Sequence, residues 1–259
     1  MNNTYIIMDK LQLISSVFKA SGHEARLGLL EALRESGMTA NDLSKLFGTS
    51  PSYVHRHLQI LIEGDLIKKE GRIFTLSTSG RIFINSLGWI EVIIKYDDFW
   101  KRHDLSKVPE SLIEQMVVLK GTKQITSAPR VIDKILKMID GSEKRILACT
   151  DKLPGITFPA VARQLKKGVK LYSITGDLTP DSKNRYKDMN LPSSVEMRTA
   201  PLEDIYMGIL VVDSKEAGII FQDTRGTLDW NCAILGKGPD FISWAENNFW
   251  WIHNKGTDI

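Results

Sequence analysis

The stretch SPSYVHRHLQILIEGDL, Ser50 to Leu66, has the punctuation of a helix and two faces of opposite character. Ser50 is suited to cap it, and Pro51 falls in the first turn, where its missing N–H costs nothing. With Val54 at zero and 100° per residue, Leu58, Leu61 and Ile62 fall on the Val54 side and His57 on that side's edge. Ser52, Arg56 and Gln59 gather opposite, flanked by Tyr53 and His55. The first face is made for burial. A polar outer face by itself is ordinary for a surface helix, so the neighbouring segments decide its meaning.

Upstream, TANDLSKLFG has Thr39 and Asp42 spaced as a capping box, an apolar stripe of Leu43, Leu46 and Phe47, and a terminating Gly48. A Gly-Thr-Ser turn then joins two helices that must cross. In a helix-turn-helix, the second helix lies in the DNA major groove. Base edges there are read best by Arg, Gln and Asn, with Ser and Thr helping. Two further helices precede. One covers about Met8 to Ala20, with Leu11, Ile14, Val17 and Phe18. The other is HEARLGLLEALRESG, with Leu27, Leu30 and Leu33 on one side and Gly37 past its end.

Downstream of Leu66 the period switches to 2. LIKKEGRIFTLS reads as strand, Glu70-Gly71 turn, strand. Its basic residues Lys68, Lys69 and Arg72 suit phosphate contacts, which add affinity without sequence choice. The order is helix, helix, turn, helix, hairpin: an α+β winged helix-turn-helix domain over residues 1–85. The expected contacts with double-stranded DNA are Ser50, Ser52, Tyr53, His55, Arg56, Gln59, Lys68, Lys69 and Arg72. His57, on the edge of the apolar side, reads as a packed structural histidine.

Residues 20–80 resemble the winged-helix domain of ArsR-like (arsenic-repressor-type) regulators. The resemblance rests on the His-x-x-Arg-Leu start, the Leu-Ser-x-x-x-Gly-x-Ser turn region and the Arg-His-Leu-x-x-Leu core of the second helix. It implies a transcription regulator, usually a homodimer. Many relatives sense metals through cysteines. This segment has none, so a thiolate metal sensor is not expected.

GRIFINSLGWIEVIIKYDDFW, from Gly80 to Trp100, is apolar on most of its circumference and should be covered on more than one side. Residues 86–119 are therefore expected to be connecting helices that dimerise. Within and beyond them, DDFWKRHDLSKVPESLIEQM is similar to a segment in archaeal winged-helix regulators of methanogenesis and filament formation. The resemblance implies a C-terminal domain that senses a ligand or assembles, distantly similar to the TrmB sensor domain and the phospholipase-D fold.

From about Lys120, helix alternates with strand. RILACT, TFPAVARQLKKG and VKLYSIT form a strand–helix–Gly–strand pattern, as in a parallel βαβ unit. ILVVDSKEAGIIF suggests a hairpin through Asp213 to Glu216. The chain closes with a helix, about Asp240 to His253, carrying Phe241, Trp244, Phe249, Trp250 and Trp251. Residues 120–259 are thus expected to be an α/β sensor-like domain. Strand ends are where α/β sheets place ligands, so Thr150, Asp151, Thr175 and Asp177 are candidates for an unidentified small-molecule effector. Loop and helix capping is the plainer role for them. Trp244 and Trp250 could stack on a ligand, but helical spacing favours core or interface.

Catalysis is not expected. Phospholipase-D chemistry needs His-x-Lys-x4-Asp, usually twice. His253 and Lys255 occur once, and Asp258 is too close to complete the motif. A DNA-tethered phosphodiesterase-like enzyme and a protein-interaction module are the alternatives. No phosphate loop, dinucleotide fingerprint or metal-ligand spacing is present, so neither cofactor nor metal is implied. The 259 residues carry a formal charge of only +3, so any DNA site must be a local patch. Two separate cysteines, Cys149 and Cys232, suit a reducing compartment. Neither a basic leader nor a membrane-spanning run is visible, so a cytoplasmic protein is expected, with no membrane partner.

Overall fold

The structure, a computed structural model, describes residues 2–152, 155–176 and 192–258, with side chains from Leu11 onward. It divides into two compact units, 1–90 and 91–259.

The first unit contains helices α1 (Asn2–Ser21), α2 (Glu24–Ala32), α3 (Ala40–Phe47) and α4 (Pro51–Glu63), strands β1 (Met38–Thr39), β2 (Ile67–Glu70) and β3 (Ile73–Leu76), and the start of α5 (Thr78–Lys95). Its core gathers Leu30, Leu43, Val54, Leu58, Leu61 and Phe74, none more than 2% exposed. The capping box at Thr39 forms in full: the Asp42 amide donates to the Thr39 hydroxyl and the Asp42 carboxylate accepts from the Thr39 amide. The wing is an antiparallel hairpin with Ile67 opposite Leu76 and Glu70 opposite Ile73. Its turn is therefore Gly71-Arg72, one residue later than the expected Glu70-Gly71, with Gly71 at φ +61. β1 pairs with β3 and completes a three-stranded sheet. Two residues are too few to show an alternating pattern in the sequence.

The expected apolar stripes are partly displaced. On α3 the buried face is Ala40, Leu43 and Ser44, while Leu46 and Phe47 are 59% and 44% exposed. On α2, Leu29 replaces Leu27 beside Leu30 and Leu33. On α1, Ala20 and Ser21 are buried and Val17 packs against the core, but Leu11, Ile14 and Phe18 face outward. The short α2 and α3 touch the core along few residues and α1 meets it only near its C-terminal end, so part of each apolar stripe is left for another surface.

The second unit holds an eight-stranded mixed sheet. Its strands are β4 (Lys123–Thr126), β5 (Arg145–Thr150), β6 (Lys170–Gly176), β7 (Val195–Ala200), β8 (Met207–Val212), β9 (Glu216–Phe221), β10 (Cys232–Gly236) and β11 (Thr257–Asp258). The spatial order is β11-β7-β6-β5-β8-β9-β10-β4. β5, β6 and β7 run parallel, as the strand–helix–strand pattern predicts; the other pairings are antiparallel. Helices α8 (Ala128–Asp140) and α9 (Phe158–Lys166) cover one face, and α10 (Pro239–His253) packs on the other. Asp213, at the β8–β9 turn, accepts the backbone amides of Glu143, Lys144 and Arg145 at 2.8–2.9 Å. Burial would raise its pKa, but these three donors outweigh that and hold it below the usual carboxylate range.

The helix expected from Gly80 to Trp100 is two: α5 ends at Lys95 and α6 (Asp97–Trp100) begins after Tyr96. Tyr96 is buried, with its hydroxyl 2.6 Å from that of Thr122. Beyond α6, His103 stacks on Phe99 at 3.7 Å and its Nε2 lies 3.3 Å from the Asp229 carboxylate. The Asp104 amide donates to the Gln222 carbonyl. His103 and Asp104 thus tie this segment to the strands of their own unit. The short helix α7 (Glu110–Ile113) follows, and the Leu112 carbonyl accepts from the Trp244 indole at 3.2 Å.

Candidate nucleic-acid interface

Gly48, at φ +60, closes α3 in the left-handed conformation that a side chain would resist. The Thr49 amide donates to the Ser44 carbonyl, and the Ser44 hydroxyl donates to the Thr49 carbonyl at 2.7 Å. Ser50 then accepts the Tyr53 amide at 3.3 Å and starts α4. The turn is therefore pinned at both ends, and the orientation of α4 follows from it.

α4 buries Val54, His57, Leu58 and Leu61. Ser50, Ser52, Tyr53, His55, Arg56 and Gln59 are all exposed. The Arg56 guanidinium sits 5.5 Å from the Tyr53 ring centroid, an arrangement that holds the cation near the N-terminal half of the helix. Gln59 donates to the Glu63 carboxylate at 3.2 Å. To read a base, Gln59 must exchange that partner. Glu63 also places a negative charge at the C-terminal end of the polar face, which confines the electropositive part to residues 52–56. The sequence reading did not include Glu63, although the i,i+4 spacing to Gln59 carries that signal.

On the wing, Lys68, Lys69 and Arg72 are exposed. Neighbours in a strand point to opposite sides, so Lys68 and Lys69 leave the hairpin from opposite faces. Lys69 lies 5.6 Å from the Phe74 ring, and that ring meets the edge of His55 on α4 at 6.2 Å. Lys69 is thus continuous with the polar face of α4.

His57 is 2% exposed, between the rings of His23 (4.6 Å) and Tyr53 (4.5 Å). Neither of its nitrogens has a hydrogen-bond partner among the described residues. Burial, then the nearby His23, Arg56 and Arg26, pushes its pKa below the ordinary value. Below about pH 6.5 an unfolded histidine takes a proton that the folded one resists. Stability from this site is therefore complete above about pH 6.5 and declines as pH falls below it. A His57→Leu variant is expected to lose less melting temperature than the parent between pH 7.5 and 5.5. Equal losses would show that His57 charges freely in the folded state.

In the second unit, Thr150 is buried and donates to the Lys152 carbonyl at 2.9 Å, while Asp151 accepts the Lys152 amide at 2.7 Å. Thr175 is the register partner of Thr150 and is fully buried, with its hydroxyl unpartnered among the described residues. Asp177 lies outside the described residues. Trp244 is packed in the core, and half-buried Trp250 is held edge-on by Tyr172, Phe249 and His253. His253 is buried with Nε2 3.6 Å from Glu196, Lys255 lies 3.4 Å over the Trp251 ring, and Asp258 pairs with Arg198. Lys255 and Asp258 are thus engaged elsewhere, while neither ring nitrogen of His253 has a hydrogen-bond partner among the described residues. No group of three or more metal-ligating side chains occurs among the described residues, and no described helix is long and apolar enough to cross a membrane.

A pinned turn, an outward polar helix and a basic hairpin define a winged helix-turn-helix domain. Residues 22–70 match the family described as a helix-turn-helix domain. Over 97% of its length the chain is 22% identical to the methanogenesis regulatory protein FilR1 of Methanothrix harundinacea (strain 6Ac), and it spans 60% of that protein. One third of the chain is 28% identical to 97% of the transcriptional repressor SdpR of Bacillus subtilis (strain 168). Among solved structures, TrmBL2, an archaeal chromatin protein, is 14% identical, with 89% of this chain and 92% of that one covered and a TM-score of 0.45. The sequence similarities are thus to a helix-turn-helix family over residues 22–70 and to two regulatory proteins, and in this chain a mixed α/β unit follows the helix-turn-helix.

Proposed function

We propose that the chain is a dimeric, sequence-specific DNA-binding transcription regulator of the cytoplasm. Ser52, Tyr53, Arg56 and Gln59 read base edges in the major groove, with Ser50 and His55 at the margin. Lys68, Lys69 and Arg72 hold phosphates. The exposure of Arg56 and Gln59, opposite the buried Val54, Leu58 and Leu61, carries this reading. Residues 1–85 act as the DNA-binding domain, 86–119 as the dimerising connection and 120–259 as the domain that senses a small ligand or mediates assembly. Exposed Leu11, Ile14 and Phe18 on α1, and Ile82, Ile90, Ile93 and Ile94 on α5, support a homodimer. A two-fold dimer uses half-sites about 34 Å apart or multiples of that. An effector that binds one spacing better shifts the population toward it. The reading excludes catalysis, and the separate engagements of Lys255 and Asp258 support that.

Genome-wide mapping of bound DNA supplies an operator for the test. Arg56→Ala is expected to lose about 1–3 kcal/mol of discrimination against non-operator DNA. Lys69→Ala is expected to weaken binding to every sequence alike and to flatten the salt slope by about one unit. An Arg56→Ala protein with unchanged operator preference would sink the assigned reading face. A change of sequence choice in Lys69→Ala would mean that the wing reads bases.

A further inference from the structure

We propose that the C-terminal unit binds a neutral, hydrocarbon-rich small molecule in the cavity between α8, α9 and the sheet. As a sensing site this rests on the regulator reading above; as a binding site it does not.

The two faces of the sheet are filled very differently. Under α10 the side chains of Phe241, Trp244, Phe249 and Ile252 are 0–2% exposed. Under α8 and α9 lies a cavity of about 200 Å³. The inward residues Ile135, Val161 and Leu165 stay only partly buried there. So does Ala148, although it sits on a central strand with β6 on one side and β8 on the other. The floor is built of small residues, one from each of five adjacent strands: Ser173, Ala148, Gly208, Gly218 and Ala233. Leu228 and Leu235 lean over the two glycines, so the room lies above Ser173, Ala148 and Ala233. An empty apolar cavity costs stability in proportion to its volume.

The walls fix the ligand class. The ammonium of Lys134 is already paired with Glu216 at 2.7 Å, so an anionic ligand entering the cavity would find no free cation among its described lining residues. A carboxylate or phosphate would bring an unpaired charge against apolar walls. Ser173 is 2% exposed and lines the cavity, and its hydroxyl can meet one oxygen on the ligand. A cavity of 150 Å³ lined by Leu, Ile and Phe holds benzene, so this one suits a ring or branched skeleton of about ten non-hydrogen atoms.

The probe is n-butylbenzene, titrated into the full chain, with 4-phenylbutyrate as its anionic counterpart. At tenfold excess over Kd, butylbenzene is expected to raise the melting temperature of the C-terminal unit by about 3–6 °C. It should shift the methyl resonances of Ile135 and Leu165, while phenylbutyrate does neither. Ala148→Leu fills the floor and Val161→Trp fills the roof. Whichever of them folds is expected to lower butylbenzene affinity at least tenfold. Absence of saturable butylbenzene binding by the parent chain, or equal binding of phenylbutyrate, overturns the site. Operator affinity with and without butylbenzene separates the two claims. A changed affinity supports sensing, whereas binding with unchanged operator affinity leaves the site standing and removes its sensing role.

Discussion

Replacing Gly80 by alanine is expected to cost the N-terminal unit about 3 kcal/mol, measured by chemical denaturation of the unit. Gly80 is buried in the first turns of α5, and a Cβ there would stand 1.9 Å from the Leu66 carbonyl oxygen. That oxygen cannot retreat freely. It accepts the Ser77 amide at 3.1 Å, while the Leu66 amide donates to the Leu61 carbonyl at 2.9 Å, so the peptide is held from both sides. The Ser77 hydroxyl donates to the Asp65 carbonyl at 2.6 Å and accepts the Gly80 amide at 2.9 Å. Asp65 itself sits at φ +53. The end of α4, the start of β2 and the start of α5 are thus sewn into one junction through backbone groups. Overpacking usually costs about 1–3 kcal/mol, and a clash against pinned backbone belongs at the upper end. The paired variant Ser79→Ala loses only an exposed hydrogen bond to Asp65 and is expected to cost about 1 kcal/mol or less. A Gly80→Ala protein as stable as Ser79→Ala would mean that α5 is not packed on Leu66.

Gly80 also marks what the sequence leaves out. The segment Ser50–Leu66 announces its helix, its cap and its buried side, because each signal is local: a serine, a proline and apolar residues at 3.6-residue spacing. The capping box of α3 and the wing hairpin are legible for the same reason. So is the βαβ unit, in which Gly168, at φ +88, ends the crossover helix before β6. The need for glycine at position 80 comes from a carbonyl fourteen residues earlier, and no local pattern encodes that contact. The strands β1, β4 and β11 are two to four residues long and sit at sheet edges, too short for an alternation to show. Leu46 and Phe47 read as core because the sequence gives the stripe of a helix but not how much of it meets a partner. At the proposed interface, residue types suggested Arg56 and Gln59. Only coordinates reveal that Gln59 is held by Glu63 and that Lys69, rather than Lys68, adjoins α4 through the Phe74 ring.

Phe249→Ala is expected to destabilise the C-terminal unit by about 3–5 kcal/mol, the largest single effect anticipated here. Helical spacing favours core or interface over a ligand platform for the α10 aromatics, and Phe249 is packed as core. Phe249 has no exposed surface and meets Trp250 at 5.0 Å and His253 at 5.2 Å. Its removal leaves a void that the surrounding aromatics cannot close, because Trp244 is tethered to the Leu112 carbonyl and Asn248 donates to the Trp244 carbonyl at 2.7 Å. Leu165→Ala, on the α9 side, is the matched comparison. Leu165 is only partly buried beside existing space, so truncating it removes less area from contact and is expected to cost about 1–2 kcal/mol. The difference between these two losses, read by denaturation of the same chain, measures the contrast between the filled and the hollow face. If Leu165→Ala cost as much as Phe249→Ala, the α8–α9 face would be close-packed in solution, and the space offered to a ligand there would vanish with the contrast.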